Sequence, residues 1–319
     1  MNNYIIRKIT KKTPKKIYHK YYDKKMNEIC HKPTLKQITK GIYIPPAYDN
    51  VKINCKSNEK IRAIGYDVKG RPQYIYHKKF IEEQKDKKFN HMIDFGKKFN
   101  KIDQKINSDL NSTNKIDNQI AIILKLIMDC QFRVGNEIYS KKNKSYGTTT
   151  LEKKHMKIKK NSIEIDFIGK KNVRNNCTVK NKKVVKTLKQ RNKKLKNKND
   201  RLFNVSSNDV NNYLKRFGEF SSRNFRTWGA NIEFISQILK NCKQKGSYSK
   251  SELKKIMKFC IQKVAHKLHN TTTVCKSNYL DPELLLFFEY DYKKFLKLFN
   301  HNSNKNLICK NYILFLENL

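Results

Sequence analysis

One tyrosine lies in a stretch whose composition suits a catalytic nucleophile. Tyr279 stands in CKSNYLDP, residues 275 to 282, between small polar residues and an acidic turn marked by proline. A phenol has a pKa of about 10, so at neutral pH it attacks an electrophile only where neighbouring cations favour the phenolate. Because the chain has 17 tyrosines, most of which must be packing residues, Tyr279 alone decides nothing.

Two arginine-bearing segments could supply such cations. Of 71 basic residues only 10 are arginine, so each arginine is a hint of planar, bidentate anion recognition. Arg133, in CQFRVGNEIY, is predicted to lie in an apolar helix, where its charge needs a ligand or an internal salt bridge, and the sequence leaves both open. Arg226, in FSSRNFRTWGAN, follows Arg223 by one turn of a predicted helix.

A lysine marks the tip of a predicted strand pair. Lys170 follows Gly169 in FIGKKNVRN, and the glycine gives the turn conformational freedom. The chain has 61 lysines, and a lysine in a solvated turn is the common case. Only its place relative to the other segments singles Lys170 out.

The charge of the chain indicates a polyanionic partner. Its 71 Lys and Arg residues against 27 Asp and Glu residues give a formal net charge of +44, which points to nucleic acid. A membrane surface is the rival, but no apolar run approaches the ~18 residues of a spanning helix, and MNNYIIRKITKK lacks the apolar centre of a signal peptide. We expect a soluble, intracellular protein with no membrane partner.

The eight cysteines predict neither a metal site nor a disulfide framework. They lie far apart, with no C-x-x-C and no paired Cys/His spacing, so we expect reduced, mostly buried thiols. The carboxylates form no evident cluster. The chemistry is therefore expected to need no metal.

Hydrophobic patterning predicts an α+β protein of two domains. Alternating segments such as VKI, IRAIGYD and QYIYH indicate a small, mainly β domain over residues 1–85. Its basic arm is predicted to contain a short strand over 16–22, with solvated disorder as an equal alternative for the first dozen residues. Residues 86–319 are predicted to form a mainly α catalytic domain around a three-stranded sheet in HMKIKK, SIEIDFIG and CTVK.

Helical periodicity gives the remaining elements. The predicted helices cover 78–102, 117–142 (continuous through Arg133), 184–198, 207–218, 224–242, 250–268 and 281–299, with further closing helices towards residue 319. The helix over 117–142 is apolar nearly all round, so it should be central.

The order of these segments resembles the small type IB DNA topoisomerases of poxviruses and many bacteria. The blocks are FRVGNEIY, FIGKKNV, SRNFRTWGAN and HNTTTVCKSNYLDP, preceded by YIPPAYDNV and GYDVKGRPQYIYH, and they extend from about residue 40 to about 282. The resemblance implies an active site made of Arg133, Lys170, Arg226 and Tyr279. Lys171 is the alternative lysine if the loop is shifted by one residue.

The resemblance identifies a fifth site position, nine residues before the tyrosine, which is Asn270. Poxvirus enzymes have histidine there and bacterial ones commonly asparagine, so the chain looks closer to the bacterial branch. Asn270 could donate a hydrogen bond to a phosphate oxygen but could not carry a proton; His266 and His269 are nearby alternatives. The excess of lysine over arginine, alongside abundant Asn and Ile, looks like the coding bias of an AT-rich genome. Such a bias fits a large DNA virus, which would place the protein in a virion or a host-cell replication compartment.

Contacts with DNA also follow from the resemblance. It implies that the β domain covers one side of the duplex, and the residues assigned to DNA binding are Gln73, Tyr74, Tyr76, Tyr139 and Arg223. The three aromatic residues and Gln73 could equally be packing residues of the sheet or of a helix.

The activity that the resemblance implies is relaxation of supercoils of either sign in double-stranded DNA. Tyr279 would form a 3′-phosphotyrosyl ester, the arginines would favour the phenolate and stabilise the phosphorane, and Lys170 would protonate the departing 5′ oxygen. The ester retains the energy of the broken bond, so religation needs no cofactor, neither ATP nor metal. A monomer clamped around the duplex through phosphate contacts would account for the charge and would bind less well at high salt.

Two other classes remain as alternatives. Tyrosine site-specific recombinases share the catalytic residues, but they usually have histidine where this chain has Arg223, and their N-terminal domain is helical. A non-catalytic DNA-compacting protein would explain the charge alone, and its action would not depend on Tyr279. RNA binding lacks a recognisable signature.

Overall fold

The computed structural model describes residues 3–68, 70–242, 247–300 and 303–318. These residues divide into two compact units, Met1–Lys88 and Phe89–Leu319. The first contains an antiparallel sheet and the second is mainly helical with a three-stranded sheet, so the predicted α+β class is confirmed. The division between the units falls within one helix, α2 (Lys78–Asp109).

The first unit is a five-stranded antiparallel sheet with strand order β2-β1-β3-β4-β5. Its elements are β1 (Tyr4–Lys12), β2 (Ile17–Tyr22), α1 (Lys32–Thr39), β3 (Asp49–Asn54), β4 (Ile61–Tyr66) and β5 (Pro72–Tyr76). The strand predicted over 16–22 is therefore confirmed, and of the first dozen residues Tyr4–Lys12 form β1 instead of a disordered arm, while residues 1 and 2 lie outside the described residues. The small core contains Ile5, Val51, Ile53 and Ala63.

Two arginines of this unit serve the fold. Arg7, 5% exposed, donates hydrogen bonds to the carbonyls of Pro45 and Tyr48 at 2.8 and 3.0 Å. Arg62, 4% exposed, donates to the Ile38 carbonyl at 3.0 Å. The guanidinium fork here satisfies buried loop carbonyls, so the hint that retained arginines mark anion sites is wrong at both positions.

The second unit packs helices around one large core. Its elements after α2 are α3 (Lys115–Cys130), α4 (Glu137–Asn143), β6 (Met156–Ile158), β7 (Ile163–Ile168), β8 (Arg174–Val179), α5 (Lys182–Lys194), α6 (Ser207–Lys215), α7 (Ser222–Asn241), α8 (Lys250–Lys267), α9 (Thr272–Asn278), α10 (Pro282–Tyr290), α11 (Tyr292–Phe299) and α12 (Lys305–Glu317). The three strands form an antiparallel sheet in the order β6-β7-β8, as predicted. Helix α3 is central, since every side chain from Gln119 to Ile127 is buried.

The prediction of one helix over 117–142 is wrong. Helix α3 ends at Cys130, and its cap Gln131 has a left-handed backbone (φ 55°) while its N–H still donates to the Ile127 carbonyl. The chain is irregular until Asn136 caps α4 through hydrogen bonds to its side chain. Arg133 therefore lies in a connection between two helices. Similarly, the predicted helix over 281–299 is divided into α10 and α11 at Asp291, which caps the second.

The cysteine prediction is wrong in one respect. Cys130 at the end of α3 and Cys177 in β8 form a disulfide across 47 residues of sequence, a pairing that their spacing gave no means of finding. The other six cysteines are free, four of them buried, one intermediate and one exposed. Across the described residues no helix is long and apolar enough to cross a membrane.

Candidate active site

Tyr279 caps the C-terminus of α9, and its backbone is held from both sides by one buried amide. Asn231 of α7, fully buried, donates to the Tyr279 carbonyl at 3.0 Å and accepts from the backbone N–H of Asp281 at 2.8 Å. Asp281 in turn caps α10 and accepts from the hydroxyl of Tyr312 in α12 at 3.1 Å. These bonds fix the turn that carries the phenol.

Arg226 lies against this phenol in the interior. Its guanidinium carbon is 5.2 Å from the centre of the Tyr279 ring, and the two residues are 2% and 7% exposed. The guanidinium donates to the backbone carbonyls of Gln131 and Leu268. Burial lowers the pKa of Arg226 to about 10, which leaves it cationic at neutral pH. The cation is thus held by carbonyls at the ends of α3 and α8, which leave its charge in place.

The electrostatic surroundings favour the phenolate of Tyr279. Burial alone would raise its pKa, but the positive charges of Arg226, Arg133 and Arg223 outweigh that effect and bring the pKa below its ordinary value. A phenol with three guanidinium groups acting on it is prepared to act as a nucleophile towards an anionic ester.

The connection that carries Arg133 is pinned by its backbone. The hydroxyl and N–H of Thr148 donate to the Arg133 carbonyl at 3.0 and 2.8 Å. Thr149 makes the same pair of bonds to the next carbonyl, at 2.9 and 2.7 Å. Gly135 then turns the chain at φ +100°, a conformation that side chains rarely adopt. The irregular segment is therefore fixed without helical hydrogen bonds.

Asn270 lies beside Arg133. The Arg133 guanidinium donates to its side-chain oxygen at 2.6 Å, so the amide nitrogen faces the other way. That nitrogen is buried and makes no hydrogen bond within the described part of the chain. An unpaired buried donor beside the Arg133 guanidinium is suited to an anionic oxygen. Of the alternative histidines, His266 is exposed, and His269 lies with its Nε2 at 3.2 Å from the Cys130 carbonyl.

Lys170 is exposed, whereas Arg226 and Tyr279 are buried. It opens a single 3-10 turn, residues Lys170–Asn172, that joins β7 to β8, and its side chain is exposed. Lys171, also exposed, adopts a left-handed backbone (φ 62°). The structure thus brings Arg133, Asn270, Arg226 and Tyr279 into one cluster and leaves the lysine at the tip of a hairpin.

The residues expected to contact DNA are mostly exposed. Tyr139 on α4 is 55% exposed, and Arg223 is exposed at the start of α7. On β5, Tyr74 and Tyr76 are 50% and 38% exposed, with ring centres 6.3 Å apart on one face of the strand. Gln73 alternates to the other face, and its amide donates to Asp67 at 3.2 Å.

Sequence reasoning missed two residues that support the cluster. Asn231 holds the turn of Tyr279, and the carbonyl of Gln131 receives Arg226. His269, which the sequence offered as an alternative to Asn270, is neutral at physiological pH because burial lowers its pKa to about 4. One signal was available: Gly229 lies in SRNFRTWGAN, and a Cβ there would come within 2.4 Å of the Gln131 amide. The other contacts join distant segments and leave no local pattern.

The cluster as built is suited to phosphoryl transfer. It combines a phenol of lowered pKa, two guanidinium groups and a free amide donor, which are groups that bind the oxygens of a phosphodiester and stabilise added charge. Among the described residues there is no group of three or more His, Cys, Asp or Glu side chains placed to hold a metal ion.

Comparison with known proteins gives two family matches. Residues 77–285 match the family model described as the catalytic core of eukaryotic DNA topoisomerase I. Residues 18–67 match the N-terminal domain of bacterial DNA topoisomerase IB. The first match spans the positions of all five residues of the predicted active site.

Curated relatives come from viruses. The chain is 32% identical over 289 residues to DNA topoisomerase 1B of Acanthamoeba polyphaga mimivirus, covering 84% of this chain and 83% of that protein. It is 28% identical over 232 residues to DNA topoisomerase I of monkeypox virus, covering 70% of each. DNA topoisomerase 1 of rabbit fibroma virus is 25% identical over 267 residues, 82% of this chain and 84% of that protein. The recombinase and DNA-compacting alternatives are set aside, and the chain belongs to the type IB DNA topoisomerase family.

Proposed function

We propose that this topoisomerase relaxes positive and negative supercoils through a transient 3′-phosphotyrosyl bond formed by Tyr279. The observation that carries the proposal is the contact between the buried guanidinium of Arg226 and the phenol of Tyr279. A structural tyrosine gains little from having its pKa lowered, whereas a nucleophile requires it.

We infer one role for each of the four side chains of the cluster. The Tyr279 phenolate attacks the phosphorus of the scissile phosphodiester. Arg226 and Arg133 donate to its non-bridging oxygens and balance the charge that accumulates on the pentavalent phosphorane. The free N–H of Asn270 adds a third donor, and its oxygen remains occupied by Arg133.

The leaving 5′ oxygen needs a proton, and in the roles given above the two arginines and Asn270 already donate to the non-bridging oxygens. We assign this step to Lys170, whose ammonium can reach outward from the hairpin tip towards a duplex. Religation is the same step in reverse: the 5′ hydroxyl attacks the phosphotyrosyl ester, returns its proton to Lys170, and releases Tyr279. The cycle conserves bond energy and so runs without ATP or a metal.

Between cleavage and religation the free end rotates about the intact strand, driven by torsional strain in the duplex. This requires a grip on phosphates that does not fix the bases. A formal charge of +44 provides such a grip for a monomer clamped around double-stranded DNA. Tyr74, Tyr76 and Tyr139 are assigned as contacts to the duplex on the basis of their exposure.

The test is relaxation of a supercoiled plasmid in EDTA without ATP. Wild-type protein should relax it completely, and Tyr279→Phe should bind the plasmid without relaxing it or forming a covalent adduct. Tyr290→Phe is the matched control, because Tyr290 is 81% exposed and lies outside the cluster. Relaxation by Tyr279→Phe at the wild-type rate would overturn the assignment of the nucleophile.

A further inference from the structure

The disulfide joins two parts of the active site that are separate in the sequence. Cys130 is the last residue of α3, three positions before Arg133. Cys177 lies in β8, opposite Ile165 of β7, in the hairpin whose tip carries Lys170. The bond therefore links the arginine segment covalently to the lysine hairpin.

Cys130 and the residue after it also contact the buried part of the site. Its carbonyl lies 3.2 Å from the Nε2 of His269, the neighbour of Asn270. The next carbonyl, of Gln131, receives the guanidinium of Arg226. The disulfide to Cys130 therefore joins the hairpin to the segment that holds Arg226, the neighbour of the proposed nucleophile Tyr279.

Only a short length of hairpin separates the disulfide from the turn that carries Lys170. Three paired positions of β7 and β8 separate the Ile165 and Cys177 pair from the turn, which at about 3.3 Å each is roughly 10 Å of stiff two-stranded ribbon. Two weaker contacts assist: Phe132 and Phe167 lie edge to face at 4.9 Å, and the Tyr146 N–H donates to the Ile168 carbonyl at 2.9 Å. These noncovalent contacts allow the hairpin to stay folded when the disulfide is absent.

We propose that the Cys130–Cys177 disulfide positions Lys170 for proton transfer, so that the reduced protein is a slower DNA-cleaving enzyme than the oxidised one. The proposal rests on the function assigned to Lys170 above. Cys177 is half-buried, which gives a small dithiol access to it. The dithiol transfers two electrons and two protons to the two sulfurs, breaks the bond between them, and closes to its own cyclic disulfide.

The experiment separates positioning of the acid from general damage. Single-turnover cleavage is measured on two duplexes that differ in one atom, the bridging 5′ oxygen or a 5′ sulfur at the scissile phosphate. A thiolate leaves without being protonated, so a defect in proton donation disappears on the sulfur duplex, whereas a defect in Tyr279 or Arg226 persists.

Cys177→Ser, and wild type reduced with dithiothreitol, should cleave the oxygen duplex about tenfold more slowly than oxidised wild type. Both should cleave the sulfur duplex at the wild-type rate. Dithiothreitol should not slow Cys177→Ser further, and Cys30→Ser, which alters an exposed free cysteine, should behave as wild type. Denatured wild type should bind six maleimides before reduction and eight after it.

Other outcomes overturn the inference. Equal slowing on both duplexes would mean that the disulfide supports the fold in general, and eight maleimides before reduction would mean that the bond is absent. Lys170→Ala separates the two proposals. If it is slow on oxygen and normal on sulfur while Cys177→Ser is unimpaired, only the disulfide inference fails. If Lys170→Ala is slow on both, the assignment of the acid fails, and the inference with it.

Discussion

The active site has a buried part and an exposed part, and different forces position them. Arg226 and Tyr279 are nearly inaccessible and are held by backbone carbonyls and by the amide of Asn231. Lys170 stands in solvent on a hairpin turn. The proposed nucleophile and its cations are therefore preorganised by the fold, whereas the proposed acid depends on the hairpin beneath it and on the substrate.

On the proposed mechanism, the exposed part of the site decides selectivity for DNA. A preorganised phenolate surrounded by arginines could attack many anionic esters, but departure of an alkoxide needs a proton delivered at the right place. Because the lysine is exposed, a bound duplex must bring the leaving oxygen to it. The buried part should therefore respond to mutation in stability and rate together, and the exposed part in rate alone.

The largest effect is expected for Arg226→Lys. Lysine keeps the charge but cannot bridge the Gln131 and Leu268 carbonyls while facing the phenol. Cleavage should fall by about 10³-fold, and the free energy of unfolding by about 1–3 kcal/mol, because buried carbonyls lose their donor. Single-turnover cleavage and urea denaturation measure the two losses. Arg191→Lys, where the arginine also donates to a carbonyl, is the control and should affect only stability. A normal cleavage rate for Arg226→Lys would mean that the buried part of the site is not preorganised through the Arg226 guanidinium.

Lys170→Ala tests the exposed part. The cleavage rate should fall by about 10²-fold, within the range for loss of a general acid. The unfolding midpoint in urea should not change, because the side chain is exposed. Lys171→Ala is the matched control at the adjacent position and should retain most activity. If the two variants exchange these results, Lys171 is the acid.

Asn231→Ala tests the support under the nucleophile. Its loss frees the Tyr279 carbonyl and the Asp281 N–H, so we expect about tenfold slower cleavage and a lower melting temperature. The cleavage defect should be the same on 5′-oxygen and 5′-sulfur duplexes, in contrast to the defect of a misplaced acid. Selective recovery on sulfur would contradict the assignment of Asn231 to the nucleophile side.

The smallest effect is a shift in pH dependence for Arg223→Gln. This exposed arginine is one of three whose charge lowers the pKa of Tyr279, so its removal should move the rising limb of the cleavage profile to higher pH. The 5′-sulfur duplex isolates this limb from the titration of the acid. High salt should reduce the difference between variant and wild type, since exposed charges are screened. An unchanged limb at low salt would remove Arg223 from the site.

The lowered pKa of Tyr279 also makes the free energy of unfolding depend on pH. The folded-state pKa of Tyr279 lies below its ordinary value, so the unfolded chain holds the proton to higher pH. The resulting stabilisation is complete above the ordinary pKa of about 10 and is lost as pH falls through the folded-state value. Tyr279→Phe should lack this component in urea unfolding measured across alkaline pH.

The resemblance of the blocks around Arg133, Lys170, Arg226 and Tyr279 to a known family was enough to propose the site residues, and the structure brings Arg133, Arg226 and Tyr279 together. The resemblance did not indicate the local structure around them. Apolar periodicity continues through Gln131 and Phe132, so nothing local signals that a left-handed residue ends α3 before Arg133. Contacts across the fold, such as the Cys130–Cys177 bond, depend on how distant segments pack, and periodicity contains no information about that.

Helix α12 extends the catalytic apparatus well beyond the tyrosine in sequence. The hydroxyl of Tyr312 on this helix donates to Asp281, two residues after Tyr279. The ring centre of Tyr312 lies 5.2 Å from that of Trp228 on α7. We expect that a protein shortened before Lys305 would keep every proposed reacting group and still lose activity. Deletion mapping would then misattribute chemistry to a segment whose contribution is to brace the turn that presents the phenol.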